Sequence, residues 1–359
     1  MQIDKNYIKI GKRKIGKDYP CFIIAEAGAN HNGSVTLAKK LIKVAKEAGA
    51  DCVKFQTFSA DIFCTDKNKK FSYKSQGKKV TENEYHMFKR LEFNIREWKE
   101  IISYCKKNKI LFLTTIQDPI NLTMMKKLGL QGIKVGSDDF DHLDNLRIYC
   151  DSKLPIILSK GMSNKNEFNN TLKFLKKNYS FPISILHCVS IYPSDPQDLN
   201  LNHLKHLINK YKDIIWGFSD HSTSTITPAL SVMLGAKIIE KHFTTNNNLP
   251  GPDHWFSMNP RDLKKMVNEI RFAEKTLGSS EFKISKKELF SKNIMRRKLV
   301  ANKNLYKNDF IKAKDIAFKR SLKGEQISNL KKVIGGKLKK SIKINDGIEV
   351  KNLILKDEN

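Results

Sequence analysis

The stretch from 214 to 244 decides the fold, and it reads IIWGFSDHSTSTITPALSVMLGAKIIEKHFT. A short apolar run at 214–221 is followed by a segment with helical spacing at 228–234, and a second apolar run occupies 237–244. A helix between two β-type runs predicts a crossover that joins two parallel strands. Both runs carry a histidine near their end, His221 and His242.

The same alternation extends back to the beginning of the chain. Eight β-type runs occur, at 21–25, 51–58, 110–116, 132–137, 155–160, 183–189, 214–221 and 237–244. Helical segments lie between them, for example at 34–48, 94–107 and 164–177, and a last one at 261–277. Eight consecutive βα units predict a closed (β/α)8 TIM barrel. An open doubly wound sheet is the alternative, but no glycine-rich dinucleotide loop follows the first run.

Composition restricts the class of protein. The 359 residues are 40% hydrophobic and include 20 Phe and 10 Tyr, which is enough to build a core and excludes global disorder. No apolar run is long enough to span a bilayer, and residues 1–14 lack the apolar centre of a secretory signal. The six cysteines form no CxxC pair, so we expect reduced thiols in a cytoplasmic protein.

The C-terminal part has a different character. From residue 286 the chain is rich in Lys and β-branched residues, with turn signals at 308–309, 335–336 and 346–347. These features predict a small β-rich domain, with a boundary between Gly278 and Asn293 that we set as 1–282 and 283–359.

The net charge is +29, and residues 283–359 hold 22 Lys and Arg against 8 Asp and Glu. Nucleic-acid or lipid binding would explain such an excess. No RNP, zinc-finger or helix-turn-helix signature accompanies it, however, so a solvated Lys-rich surface is favoured and neither nucleic acid nor membrane is expected as a partner.

Polar residues collect at the carboxyl ends of the predicted strands, where a TIM barrel forms its reactive face. Buried polar groups are costly unless they serve a purpose. Adjacent strands lie about 4.8 Å apart, so His221 and His242 could share one divalent ion, for which imidazole is a suitable ligand. Lys54 and Lys134, together with nearby hydroxyls, suit a phosphate or carboxylate anion. A Schiff-base aldolase is an alternative, because a lysine in an apolar pocket can be a nucleophile.

Eight motifs on successive strand ends make the chain recognisable: FIIAEAGANHNG, VKFQTF, IKVGSDD, ILSKGM, LHCVSIYP, GFSDHS, IIEKHFT and PGPDH. From about residue 18 to the end, the chain resembles the sialic acid synthase family, which includes N-acetylneuraminate, legionaminate and pseudaminate synthases. The resemblance implies a TIM barrel followed by an antifreeze-like (SAF) domain, a domain-swapped homodimer, and a divalent metal, usually manganese, with magnesium or cobalt as alternatives. It implies condensation of phosphoenolpyruvate with an N-acetylated amino sugar to a nine-carbon 2-keto acid and phosphate.

The resemblance also implies roles for individual residues. His221 and His242 match the metal ligands. The phosphoenolpyruvate positions are Lys54, Thr115, Lys134, Ser137, Ser159 and Ser219. The amino-sugar positions are Glu26, Gln56, Ser190, Tyr192 and Asp253, with Arg320 reaching the sugar from the partner subunit. Either Glu26 or Asp139 is expected to act as the general base.

Four motifs depart from the family pattern. The usual Ser-Gly-Glu is Ser137-Asp138-Asp139, Lys160 stands in the place of Thr, Ser190 in that of Asn, and the tail has Arg320-Ser321-Leu322 instead of Arg-Pro-Gly. Ser190 and Phe58 favour a 2,4-diacetamido-6-deoxy sugar over N-acetylmannosamine.

Two other classes stay open. One is a synthase of octulosonate or heptulosonate phosphates, which would need arginines for the sugar phosphate, and the strand ends hold almost none. The other is a basic binding protein with an inactive barrel.

Overall fold

The computed structural model describes residues 6–355, so the outer ends of both predicted domains, residues 1–5 and 356–359, lie outside the described residues. The chain divides into two compact units, Met1–Gly278 and Ser279–Asn359. No helix within residues 6–355 is both long and apolar enough to cross a membrane. All six cysteines are buried and free.

The first unit alternates strands with helices from its third strand onward. In chain order its elements are β1 (Tyr7–Ile10), β2 (Arg13–Gly16), β3 (Phe22–Glu26), α1 (Val35–Ala48), β4 (Cys52–Thr57), α2 (Ala60–Phe63), β5 (Lys70–Ser75), β6 (Lys78–Asn83), α3 (Glu84–Leu91), α4 (Ile95–Lys107), β7 (Leu111–Ile116), α5 (Pro119–Lys127), β8 (Ile133–Val135), α6 (Leu143–Asp151), β9 (Ile156–Ser159), α7 (Lys165–Asn178), β10 (Ser184–Cys188), α8 (Leu201–Lys210), β11 (Ile215–Asp220), α9 (Thr227–Met233), β12 (Ile238–His242) and α10 (Pro260–Leu277).

Eight parallel strands close into a barrel in the order β3, β4, β7, β8, β9, β10, β11, β12, with β12 pairing back to β3. These are the eight predicted runs, each within two residues of its predicted limits at most ends, so the TIM-barrel prediction is confirmed. The open-sheet alternative is wrong, because the pairing of β12 with β3 leaves no free edge in this sheet.

Local signals explain where the helices begin and end. The Ser34 hydroxyl accepts a hydrogen bond from the Leu37 N–H and starts α1, and Gly49 ends it in the left-handed region at φ 88°. Asn94 and Asn164 form capping boxes at the starts of α4 and α7. The apolar stripe of each helix then packs on the outer wall of the barrel, as Leu41 and other buried residues of α1 do.

An N-terminal hairpin that the sequence analysis did not predict closes one end of the barrel. β1 pairs antiparallel with β2, and Ile8, Ile10 and Ile15 are fully buried. They pack against inward-facing residues at the starts of the barrel strands, such as Phe22 and Ile238. The reactive end is therefore the opposite one, where the strands terminate.

The second unit is built from short elements: α11 (Lys286–Met295), β13 (Arg297–Ala301), β14 (Ile316–Arg320), α12 (Leu330–Val333), β15 (Lys337–Leu338) and β16 (Leu353–Ile354). β13 pairs with β14 and β15 with β16, both antiparallel. The unit has a core of its own, which includes Leu299, Ile311, Leu338 and Ile348.

Candidate active site

A cavity of about 310 Å³ lies at the carboxyl ends of the barrel strands. Twelve of the fifteen predicted site residues line it: Glu26, Lys54, Gln56, Thr115, Lys134, Ser137, Ser159, Ser190, Tyr192, Ser219, His221 and His242. Because side chains alternate along a strand, these residues share the inward direction although they come from all eight strands or the loops that follow them.

Lys54 forms the first of two ammonium centres in the cavity. It is buried, and its Nζ lies 2.8 Å from Glu26 Oε2 and donates to Thr115 Oγ1 at 2.7 Å. Burial alone would lower the pKa of Lys54, but the neighbouring carboxylates outweigh it and raise that pKa. Burial raises the pKa of Glu26 to about 7 despite the opposing effect of Lys54. Lys54 is therefore a permanent cation, whereas Glu26 can carry a proton near neutral pH.

Lys134 is the second ammonium centre. Its Nζ donates to Ser159 Oγ at 2.7 Å and to the Val135 carbonyl at 2.9 Å. Burial lowers the pKa of Lys134. Two oxygen acceptors nevertheless fix the Lys134 amine at one position in the cavity, as is needed for a group that binds an anion.

Glu240 connects the two lysines, and the sequence analysis did not assign it to the site. Its carboxylate oxygens lie 3.8 Å from Lys54 Nζ and 3.8 Å from Lys134 Nζ, and Oε1 accepts from the Ser219 hydroxyl at 3.0 Å. Burial opposes its ionisation, but Lys134 and Lys54 lower the pKa of Glu240. The available signal was position: Glu240 stands two residues before His242 on the same face of β12.

The two predicted metal ligands lie next to each other, with ring centroids 5.5 Å apart. His221 Nδ1 is 2.7 Å from the Val189 carbonyl, so Nδ1–H donates there and Nε2 keeps its lone pair for a ligand. Within residues 6–355, His242 Nδ1 is a buried nitrogen with no hydrogen-bond partner. Burial lowers the pKa of His242 well below its ordinary value, so this imidazole is neutral, as metal binding requires.

The donor set fits a divalent first-row ion held by two imidazoles. Nothing in the described part of the chain groups three or more His, Cys, Asp or Glu side chains around a common metal position. An ion on His221 and His242 would therefore take its other ligands from water or substrate, which suits a catalytic rather than a structural site. The nearest carboxylate to His242 is Asp253, whose Oδ2 lies 3.7 Å from Nδ1.

The remaining predicted sugar contacts surround this centre. The Tyr192 ring lies 4.1 Å from that of His221, centroid to centroid. Gln56 Nε2 donates to Glu26 Oε1 at 3.3 Å. Asp253 does not line the cavity itself, and burial raises its pKa to about 6.

Three predicted residues do not line the cavity: Asp253, described above, Asp139 and Arg320. Asp139 is half-buried outside the lining, and burial together with Asp138 raises its pKa to about 6. Asp138, its neighbour, lines the cavity instead. Arg320 ends β14 in the second unit, opposite Arg297 in register, and belongs to a different compact unit from the cavity.

The chain is similar to known proteins over most of its length. The model of the NeuB family matches residues 41–282. N,N'-diacetyllegionaminic acid synthase of Legionella pneumophila is 36% identical over 91% of this chain and 93% of its own length. The Campylobacter jejuni enzyme of the same name is 37% identical over 87% and 94%. The crystal structure of N-acetylneuraminic acid synthetase from Leptospira borgpetersenii, in complex with citrate, has a TM-score of 0.70 at 33% identity and covers 82% of this chain and 99% of that one.

Proposed function

Because the chain belongs to the NeuB family, we propose that it condenses phosphoenolpyruvate with an N-acetylated amino sugar and water, releasing phosphate and a nine-carbon 2-keto acid. The names of the two bacterial relatives state that their products carry two N-acetyl groups. With Ser190 in the cavity, this supports a 2,4-diacetamido-6-deoxy sugar ahead of N-acetylmannosamine as the acceptor. Phe58 does not line the cavity and packs against Phe63 and Phe88 instead.

The observation that carries the proposal is the pair of buried ammonium groups in one cavity with two imidazoles. Lys54 and Lys134 supply the charge that a phosphate and a carboxylate need when they leave water. The hydroxyls of Thr115 and Ser159 already accept from these ammoniums, which fixes the ammoniums in position for an anion.

The chemistry that a divalent ion supplies at His221 and His242 is polarisation of the sugar's aldehyde oxygen. We propose manganese, with magnesium and cobalt as alternatives. Carbon 3 of the enol phosphate forms the new C–C bond to the aldehyde carbon, and positive charge develops at carbon 2. A water oxygen then bonds to carbon 2, and one of its protons passes to a carboxylate and on to the alkoxide formed from the aldehyde oxygen. The C–O bond to phosphate breaks with its electron pair leaving on phosphate, which takes the second water proton as the carbon 2 hydroxyl becomes the ketone.

The base that takes the water proton is better assigned to Asp138 than to the predicted Glu26 or Asp139. Glu26 is held by Lys54 at 2.8 Å, and Asp139 does not line the cavity. Asp138 does line it and, within residues 6–355, has no ion-pair partner. Its carboxylate is therefore free to accept a hydrogen bond from a water molecule in the cavity, which is the geometry that proton abstraction needs.

The second unit has a proposed role in sugar binding. We propose that it is the SAF domain of a domain-swapped homodimer and that Arg320 meets the sugar bound by the partner subunit. The Legionella relative aligns over 91% of this chain, so the alignment extends beyond the barrel.

A Schiff-base aldolase is the one competing activity that a specific observation favours, because burial lowers the pKa of Lys134. Borohydride added with a 2-keto acid would trap such an intermediate as a permanent lysine adduct, detectable as added mass. Our proposal expects no adduct on Lys134.

The decisive experiment measures phosphate release from phosphoenolpyruvate with a panel of acceptors: N-acetylmannosamine, 2,4-diacetamido-2,4,6-trideoxymannose, arabinose 5-phosphate and erythrose 4-phosphate. Release with an N-acetylated hexose and not with the sugar phosphates is the expected result. Release with a sugar phosphate alone would overturn the proposal in favour of the octulosonate or heptulosonate class. Retention on DNA at physiological salt without any phosphate release would favour the basic binding protein.

A further inference from the structure

A second polar cluster lies directly behind the two histidines. Asp220 and Lys241 precede His221 and His242 in the chain and stand opposite each other in the register of β11 and β12. Side chains alternate along a strand, so this pair faces away from the cavity that the histidines face, and neither residue lines it. Asp220 is 0% exposed and Lys241 2% exposed.

Every polar atom of this pair has a partner. Lys241 Nζ lies 2.9 Å from Asp220 Oδ2, and it also donates to the backbone carbonyl and the hydroxyl of Ser222. Asp220 Oδ2 accepts from the Thr227 hydroxyl at 2.5 Å, and Oδ1 accepts from the Ser222 N–H at 2.8 Å. A fully satisfied buried network is rigid, because any movement would leave a charged group without its partners.

The network acts on the residue that follows His221. The Ser222 N–H donates to Asp220, and the Ser222 carbonyl accepts from Lys241. The backbone immediately after His221 is therefore fixed on the side that faces away from the cavity. Thr227 opens α9, so the loop between β11 and that helix is fixed at both ends. The ammonium group of this network belongs to Lys241, which directly precedes His242 on β12. One ion pair that crosses from β11 to β12 therefore joins the residues that directly precede the two histidines.

Stability alone does not explain this pair. Two charges buried behind a sheet lose their hydration, and apolar residues of similar size often serve folding equally well. What an ion pair adds is a defined separation and register of the two groups that it joins.

We propose that Asp220 and Lys241 are positioning residues that set the spacing of His221 and His242 for a divalent cation. The inference rests on the metal site of the proposed function. Groups that are hydrogen-bonded to metal ligands typically change metal affinity by roughly 10- to 100-fold when they are replaced, and we expect a similar change from a pair that fixes the ligands through the backbone.

The test is a titration of the chelator-stripped full chain with Mn²⁺, in which free Mn²⁺ is followed by electron paramagnetic resonance. Lys241→Met should weaken Mn²⁺ binding by roughly 10- to 100-fold. Thr227→Val removes one donor to Asp220 and should give a smaller loss, whereas Thr227→Ser keeps the hydroxyl and should bind like the wild type. If Lys241→Met does not fold, the positioning role is tested by comparing the Mn²⁺ affinities of Thr227→Val and Thr227→Ser.

A matched control comes from the closed end of the barrel. Asp51 Oδ2 accepts from the Ile23 N–H at 2.9 Å and lies 2.8 Å from Arg271, so Asp51→Asn weakens a comparable ionic network far along the strands from the histidines. This variant should unfold at a lower temperature and bind Mn²⁺ with wild-type affinity.

Two negative outcomes are separable. A wild-type chain that binds no Mn²⁺ overturns the metal site itself and this inference with it. A wild-type chain that binds Mn²⁺, with Lys241→Met and Thr227→Val binding equally well, refutes only the positioning role. The positioning role is also refuted if Asp51→Asn weakens Mn²⁺ binding as much as Lys241→Met does, because metal affinity would then simply follow the overall stability of the fold.

Discussion

Replacement of Lys134 by Met tests the anion-binding role of the cavity most directly. Lys134 is buried, lines the cavity, and lies 3.8 Å from Glu240. Two unit charges about 4 Å apart interact by about 4 kcal/mol at an effective dielectric of about 20. The net value of a hydrogen bond to a charged group is smaller, about 1.5–3 kcal/mol, because the partners give up hydration. Met preserves most of the side-chain volume, so the change is mainly electrostatic.

The expected result is a Kd for phosphoenolpyruvate that rises roughly 10- to 150-fold, which corresponds to that range of free energy. Calorimetric titration of the protein with phosphoenolpyruvate alone measures it without dependence on turnover. Folding should survive, because Glu240 keeps Lys54 at 3.8 Å and the Ser219 hydroxyl at 3.0 Å. Lys127→Met, at the exposed end of α5, is the matched control and should leave the Kd unchanged.

An unchanged Kd in a folded Lys134→Met protein would refute the reasoning, since Lys134 would then contribute no charge to the ligand. Loss of turnover with an unchanged Kd would instead favour a nucleophilic role, and the borohydride experiment would then be expected to label Lys134.

Three further predictions concern the base, the pH dependence of stability and the hairpin. Asp138→Asn should lower kcat at least 100-fold with little change in the Kd for phosphoenolpyruvate, and Asp139→Asn should lower it far less; the reverse order in steady-state assays would return the role to Asp139. Burial lowers the pKa of His31 to about 3, so only the unfolded chain takes up this proton as pH falls below about 6.5. Stability should therefore fall by about 1.4 kcal/mol between pH 7.5 and 5.5 from this residue, and urea unfolding of His31→Gln should lack that part of the slope. Ile10→Ala should cost about 2–5 kcal/mol of unfolding free energy while the Kd for phosphoenolpyruvate stays the same, and a loss below 1 kcal/mol would show that the hairpin does not plug the barrel.

The barrel could be predicted from the sequence because its signals are local. Each buried parallel strand is a short apolar run, and each helix has its own cap, as Ser34 and Gly49 provide for α1. Alternation alone also predicts that Lys54 and Gln56 point in the same direction. Eight such units admit few architectures, so local information was sufficient for the global fold.

The two hairpins were missed although alternation was present. Residues 7–16, YIKIGKRKIG, alternate Ile with Lys or Arg around Gly11, but their abundance of charge resembles a solvated terminus. Residues 70–83 alternate in the same way around Gln76 and Gly77, with weakly apolar side chains. In the first hairpin, burial is decided by a barrel that is distant in sequence, which a local pattern does not contain. The second hairpin is mostly exposed, so it lacks the apolar face that marks a buried strand.

The choice of the base is difficult for another reason. β8 ends at Val135, and Asp138 and Asp139 follow after it, where the strict alternation of a strand no longer applies. Which of these two adjacent carboxylates enters the cavity depends on the backbone of the loop. The family motif Ser-Gly-Glu aligns its carboxylate with Asp139, so the resemblance selects that residue. Glu240 illustrates the opposite case: alternation puts it on the same face of β12 as His242, but its role depends on Lys54 and Lys134, which lie on strands distant in sequence.

Glu240 changes the electrostatic argument for the whole cavity. The chain carries +29, yet the two lysines face two carboxylates, Glu26 and Glu240, so the inner cavity is close to neutral when all four are ionised. The overall charge can attract an anion from a distance, but it does not create the site's preference for one. That preference requires one carboxylate to give up its charge as the ligand arrives. Glu26 is suited to this, because burial raises its pKa to about 7 and a bound anion beside it raises that pKa further. We therefore expect phosphoenolpyruvate binding near neutral pH to be accompanied by proton uptake at Glu26, while Glu240, whose pKa Lys134 and Lys54 lower, keeps the two ammoniums in place.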